Sequence, residues 1–314
     1  MKKHPQVLLI GNGINRVFGG ASWTGILKRI SKRNDIPIDD LKSPMPLQAV
    51  LVTNNDIKTA LDSHKKLFYG SINNTGQESA YQSILSLGFD HILTTNYSYE
   101  LEIASLDKDT ISDYELLKMV SHTTAVERAE PKYLLHTYNQ CKYKNIDNKI
   151  WHIHGEARKP DGMVLGHYYY SNLLCRMKNY LDKKGPIYKK KQDVGKDISF
   201  DSWLDAFVLG NVYIIGFGYD LSEFDLWWLL NRKYREKADK GKVYFFVPES
   251  NEFDEKTELL KIMGVEIINC GVSLPPSLPK DCSDEEKELH KNETKDIFKV
   301  FYPKALEKIL ELMN

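Results

Sequence analysis

Leu8-Leu9-Ile10-Gly11-Asn12-Gly13-Ile14-Asn15 is an apolar run that breaks off into a glycine, a polar residue and a second glycine. A parallel-sheet strand buried on both faces reads as such a run, and a glycine or small polar residue follows where its carboxyl end opens onto a ligand crevice. Three distant segments end in the same way: Leu93-Thr94-Thr95-Asn96-Tyr97-Ser98, Trp151-His152-Ile153-His154-Gly155 and Ile214-Ile215-Gly216-Phe217-Gly218-Tyr219-Asp220. Together the four point to a nucleotide site.

Working outward, continuous apolar character predicts strands over Val7 to Ile10, His91 to Thr94, Ile150 to Ile153, Val212 to Ile215, Val243 to Val247 and Val265 to Ile268. The segments between them are long enough for helical crossovers, so the fold class is α/β, a Rossmann-like doubly wound parallel sheet of about six strands. The two intervals between the first three strands are longer than a βα unit needs and predict helical insertions, at about 35–88 and 104–149. Helices are expected over Ala49 to Leu67, Gln77 to Leu87, Tyr97 to Ser105 and Ser112 to Val120, and a polar mixture of helix and loop over Ala104 to Lys149 near the mouth of the site. Residues 1–273 read as one nucleotide-binding unit and 274–314 as a tail. In that tail Leu274-Pro275-Pro276-Ser277-Leu278-Pro279 is an extended linker. Helices over Asp284 to His290 and Ile297 to Met313 follow, the second kinked or divided at Pro303.

The chain has 314 residues, with 43 lysines and arginines balanced by 43 aspartates and glutamates. There is thus no global field drawing it to nucleic acid or an anionic membrane, and no direct nucleic-acid binding is evident. The basic cluster Lys183, Lys184, Lys189, Lys190 and Lys191 reads as a solvated face. No apolar run approaches the roughly 20 residues of a membrane span, and Met1-Lys2-Lys3-His4-Pro5 lacks a signal-peptide core, so the expected location is cytoplasmic. Cys141, Cys175, Cys270 and Cys282 are scattered without a Cys-x-x-Cys pair, which indicates neither a disulfide framework nor a zinc knuckle.

Residue by residue, Gly11-x-Gly13 follows a strand and opens a helix, a position where backbone N–H groups can approach a pyrophosphate. A tight turn without ligand fits it as well. Arg16 stands where a dinucleotide fingerprint has its third glycine, which disfavours a plain nicotinamide dehydrogenase. Thr94-Thr95-Asn96-Tyr97-Ser98 taken alone reads as a helix cap. His152 and His154 are two apart on a strand and share a sheet face, yet no cysteine or third histidine has matching spacing, so no metal is expected. Gly216 and Gly218 allow close approach of an adenosine, and Ser222 or Asp225 is expected to cap the helix that follows. Trp227 and Trp228 read as core or interface.

In order and spacing, the four segments resemble the sirtuin-like (silent-information-regulator type) family of NAD-consuming enzymes, whose motifs are a Gly-x-Gly loop, Thr-Asn-Tyr-Asp, His-Gly and a late glycine-rich loop. The resemblance implies catalytic roles for Asn96, which holds the nicotinamide ribose and the attacking water, and for His154, the histidine directly before glycine. It implies NAD contacts from Gly11, Asn12, Gly13, Asn15, Thr95, Ser98, Gly216, Gly218, Ser222 and, at the adenine ribose, Glu249. Asn12 and Asn15 replace the alanine and serine of the usual loop, and Ser98 replaces an aspartate. Glu102 matches a glutamate that ends the second motif in the non-deacylase branches.

Breaking the nicotinamide–ribose bond passes through an oxocarbenium-like state and releases a neutral pyridine, so no general acid is needed and an Asn with a His suffices. The expectation is therefore an NAD glycohydrolase with NAD as substrate and no metal, since the cysteine pairs of the zinc-bearing deacylases are missing. The resemblance further implies a prokaryotic antiphage effector that depletes NAD, acting as a homo-oligomer or with a second defence protein. Two alternatives stay open: a non-catalytic NAD or ADP-ribose sensor, and a deacylase or ADP-ribosyltransferase.

Overall fold

The computed structural model describes residues 4–33, 35–106, 121–124, 133–190, 200–249, 254–279 and 281–314. Its centre is β1, Gln6–Ile10, with every residue buried. Alternation splits this strand between two cores: Val7 and Leu9 belong to one apolar cluster, Leu8 and Ile10 to the other. Each such side chain taken out of water contributes roughly 1.5–3 kcal/mol, which is why a strand covered on both faces must be apolar throughout.

Seven more strands complete one sheet: β2 His91–Thr94, β3 Ser121–Thr124, β4 Thr137–Tyr143, β5 Ile146–His152, β6 Asn211–Ile215, β7 Val243–Glu249 and β8 Val265–Ser273. Their order is β3-β4-β5-β2-β1-β6-β7-β8. The pairings β5–β2, β2–β1, β1–β6, β6–β7 and β7–β8 are parallel, and only β3–β4 and β4–β5 are antiparallel. The six parallel strands are those the sequence predicts. Renumbered among themselves they run 3-2-1-4-5-6, the doubly wound order of dinucleotide-binding folds.

Helices cover both faces. His167–Lys190, Trp203–Leu209 and Phe224–Arg235 pack with the cluster around Val7 and Leu9, while Thr75–Ser86 and Asp284–Met313 pack with the cluster around Leu8 and Ile10. A third cluster, with Leu27, Ile30, Val52, Leu61 and Phe68, gives the helices between β1 and β2 a core of their own against Tyr99, Ile103 and Met163.

Several expectations need correction. The helix expected over Ala49 to Leu67 is two helices, Met45–Val52 and Ile57–His64, because Asn54 and Asn55 take positive φ angles of 52° and 60° and end the first. Residues 112–120 lie outside the described residues. The 104–149 insertion contains β3 and the β4–β5 hairpin, whose turn residues Lys144 and Asn145 have φ 45° and 67°, the two-residue type that joins twisted strands. The tail holds one helix, not two: Asp284–Met313 runs through Pro303. Pro303 and Lys299 are both exposed, so water can serve the carbonyl that proline leaves unbonded. Residues Phe301, Tyr302, Ala305 and Ile309 hold the helix to the sheet.

Among the described residues no helix is long and apolar enough to cross a membrane. All four cysteines are free.

Candidate functional site

The four quoted segments leave the sheet on four contiguous strands, β5, β2, β1 and β6, at its carboxyl edge. Main-chain bonds stitch them together there: Thr95 donates to Ile10 at 3.2 Å, Ile153 to Thr94 at 2.9 Å, Ala157 to Tyr97 at 3.0 Å and Gly13 to Gly216 at 2.7 Å. Strand order reverses between β1 and β6, and crevices for ligands open at such a switch point.

The glycines at that point are required by packing. A Cβ on Gly11 would come within 2.8 Å of the Phe217 ring, and one on Gly13 within 2.5 Å of the Tyr302 hydroxyl and 2.7 Å of the Gly216 carbonyl. Gly216 itself has φ 60°, the left-handed region that glycine occupies freely. The Gly13 N–H, expected to face a pyrophosphate, instead bonds Gly216. Gly218 is unlike the others, with open space where its Cβ would be, and its carbonyl accepts from Lys256 at 3.0 Å.

Asn96 lies two residues beyond β2 and is half-buried. Its Nδ2 donates to the Gly11 carbonyl at 3.3 Å and its own carbonyl accepts from His152 Nδ1 at 2.8 Å. The other ring nitrogen of His152 donates to Glu102 at 2.8 Å, with both side chains sealed from solvent. Burial alone would lower the His152 pKa, but the charge and hydrogen bond of Glu102, with help from Glu156, hold it up at about 9. His152 is thus a fixed imidazolium tying Asn96 to the Glu100–Ala104 helix, not a base at neutral pH. The Glu102 matched by resemblance serves this pair.

His154 is differently placed. It is 3% exposed, and its Nε2 donates to Asp225 Oδ2 at 2.9 Å with Glu223 Oε2 at 4.0 Å. Among the described residues no hydrogen bond engages its Nδ1. Tyr170 donates to Glu223 at 3.0 Å and meets the His154 ring edge-on at 5.4 Å. Burial pushes the Glu223 carboxyl up to about 7. Burial opposes the His154 cation too, yet the charge and hydrogen bond of Asp225 and the charge of Glu223 raise its pKa overall.

Asp225 and Glu223 were not anticipated as part of a site. Sequence logic assigns Asp225 or Ser222 to capping the Phe224–Arg235 helix, but that helix has no side-chain cap: Ser222 bonds Asp220 and Asp225 points at His154. No local signal marks a partnership spanning 71 positions. Among the described residues, His154, Glu223 and Asp225 also form a group whose ligand atoms lie within 4.8 Å of one another and could hold a metal ion.

The remaining expected residues divide. Asn15 is 3% exposed, its Oδ1 taken by Tyr81 and Gln77 and its Nδ2 donating to Asn12, so the amide expected to meet phosphate or ribose is turned inward. Asn12 in turn donates to the Ala21 carbonyl at 2.8 Å. Ser98 donates to the buried Glu100 at 2.6 Å. Thr95 is half-buried at the β2 end. Glu249 ends β7, exposed beside a register shift at Pro248, and accepts from Ser273.

Comparison with curated proteins gives no match to the chain. Comparison with protein families does: residues 90–268, from the residue before β2 into β8, match the SIR2-like domain. That span starts after the Gly11–Gly13 turn yet holds Asn96, both histidines, Glu223 and Asp225. Family members act on NAD, and with more than half of its length matched, the sheet order of a dinucleotide fold and the Asn and His-Gly segments on adjacent strands, this chain belongs to the SIR2-like domain family.

Proposed function

We propose that the chain is an NAD glycohydrolase, cleaving NAD to nicotinamide and ADP-ribose. The observation that carries this reading is that Asn96 and His154 leave the adjacent strands β2 and β5 at one edge of the sheet, one carrying a carboxamide and the other a buried imidazole backed by a carboxylate. The Asn96 amide would align the ribose and water, and His154 would take the proton. The oxygen–hydrogen bond of water breaks as its oxygen joins ribose C1′, and the C1′–nitrogen pair departs with nicotinamide. The cationic leaving group becomes neutral, and the buried carboxylates offset the positive charge that develops on the ribose.

The reading extends, by family resemblance, to an NAD-depleting antiphage effector that works as a homo-oligomer or with a second protein. The test is to incubate purified protein with NAD and follow nicotinamide and ADP-ribose by chromatography, with and without candidate activators and with chelator. Nicotinamide and ADP-ribose in equal amounts, unaffected by chelator, is the expected result. Binding of NAD with no turnover under every condition would favour a sensor, and transfer of ADP-ribose to protein would favour a transferase.

A further inference from the structure

The cluster behind His154 has more polar atoms than a buried structural histidine requires. One Asp225 oxygen engages Nε2, while the other, Oδ1, is buried without a partner among the described residues. A lone oxygen of this kind costs on the order of 1–3 kcal/mol. Glu223 lies 8% exposed at the start of the same helix and is held by Tyr170 from the facing His167–Lys190 helix. Two carboxylates thus converge on one imidazole from one side. We infer that Asp225 and Glu223 are positioning residues for His154: Asp225 holds Nε2–H and leaves Nδ1 as the atom that takes the proton, and Glu223 adds the second negative charge that stabilises the resulting imidazolium.

This rests on the reading of His154 as the base. An imidazole whose Nε2–H is fixed on a carboxylate has one lone pair left, on Nδ1. Taking a proton there leaves both ring nitrogens protonated, with the charge shared toward Asp225. The same carboxylates favour the cation before substrate arrives, so activity should rise with pH as His154 loses its resting proton. The positively charged nicotinamide ring would assist, since a second cation close by disfavours imidazolium. Besides Asp225 and Glu223, the titratable groups around the cluster are Tyr170, Tyr97 and Tyr219, with Asp220 acting on Glu223. Burial raises all three tyrosines, so they stay neutral, while Glu223, pushed up to about 7 by burial, is drawn toward its charged form by the His154 cation.

The experiment follows the ring of His154 directly by nitrogen NMR of histidine-labelled full-length protein, in the wild type, Asp225→Asn and Glu223→Gln. The pH profile of kcat/KM for nicotinamide release is measured alongside. Neutral His154 is expected as the Nε2–H tautomer. Its titration midpoint should fall by about one pH unit or more in Asp225→Asn and by less in Glu223→Gln, and the acid limb of the rate profile should move down with it. A midpoint unchanged in both folded variants, or a neutral ring protonated on Nδ1, overturns the inference. The ring titration needs no turnover, so a protein that shows the shifts but releases no nicotinamide sinks the hydrolase reading and leaves the positioning intact. Should Asp225→Asn fail to fold, Glu223→Gln and the wild-type tautomer decide the matter.

Discussion

The two ends of the parallel sheet handle buried polarity in opposite ways. At the amino end, where β6 begins, Lys233 is 2% exposed and its ammonium donates to the carbonyls of Phe207, Val208 and Gly210 at 2.6–3.2 Å. Three donors meet three acceptors at the carboxyl terminus of a helix, whose dipole works against the burial that pulls the Lys233 pKa well below its ordinary value. At the start of β2 the neutral His91 accepts from Trp151 at 3.2 Å, and burial pulls its pKa down to about 3. At the carboxyl end carboxylates crowd two histidines, and Glu102 Oε2 and Asp225 Oδ1 are buried without partners among the described residues. The difference teaches where this sheet is built to be inert and where it keeps unbalanced charge; departures of the second kind belong to sites that do chemistry.

The sharpest test of that contrast is the largest effect. His154→Ala and Asn96→Ala should each lower nicotinamide release by about 10²–10⁴-fold, the usual weight of a base or an aligning group, with unfolding midpoints little changed. His152→Ala should act differently, because it strands Glu102 in the interior and destabilises the fold by roughly 3–5 kcal/mol, while activity per folded molecule falls much less. Equal loss of specific activity in the His152 and His154 variants, both folded, would erase the distinction drawn between them.

Next comes the amino end. Lys233→Met keeps the length of the side chain and removes all three donors, and its expected loss of stability is roughly 3–5 kcal/mol in urea unfolding. Turnover per folded molecule should not move. A stable variant would mean that the ammonium is not what holds that end.

The paired histidines at opposite ends should give opposite pH dependence. His152 binds its proton more tightly folded than unfolded, about 9 against an ordinary 6.5, so its contribution is complete below pH 6.5 and is lost as pH rises through 9. His91 has its folded value depressed from 6.5 to about 3, so its contribution is complete above pH 6.5 and is lost as pH falls through 3. Each amounts to a few kcal/mol. Unfolding midpoints across pH should lose the alkaline slope in His152→Gln and the acid slope in His91→Phe; slopes that persist in both variants would assign them to other groups.

How much of this was legible follows from how local each signal is. The six parallel strands are continuous apolar runs, and burial on both faces leaves no other composition, so they were readable. β4 was not: it sits near the sheet edge, buries only alternate residues and carries Asn139, Gln140 and Lys142, which reads as polar loop. Pro303 does not divide the tail helix, because the packing of Phe301, Tyr302, Ala305 and Ile309 on the sheet outweighs the lost bond and the carbonyl concerned faces water. In the candidate site, Asn96 and His154 stand out through their neighbours in sequence, and the variants above decide whether they act on NAD. Asp225, Glu223 and the Glu102–His152 pair were not marked as partners, since each joins residues at least 50 positions apart and fills a position where an acidic residue also suits a helix start.

The smallest effect concerns Ser98, whose hydroxyl has a partner that the resemblance does not imply. The resemblance makes Ser98 a weakened copy of a ribose-binding aspartate, so Ser98→Asp should be tolerated and could tighten NAD binding. In the fold the Ser98 hydroxyl donates to Glu100 Oε2 at 2.6 Å, and Glu100 is 6% exposed with its carboxyl raised by burial. An aspartate there would present a second carboxylate to the first, and like charges so close force one to hold a proton. Ser98→Asp is therefore expected to destabilise the fold by about 1–2 kcal/mol at neutral pH, with the deficit shrinking as pH is lowered toward carboxyl values. Ser98→Ala, which removes one hydrogen bond without adding charge, should cost about 1 kcal/mol and leave the Michaelis constant for NAD close to that of the wild type. Tighter NAD binding by a stable Ser98→Asp protein would restore the ribose contact and show that Glu100 gives way when substrate arrives.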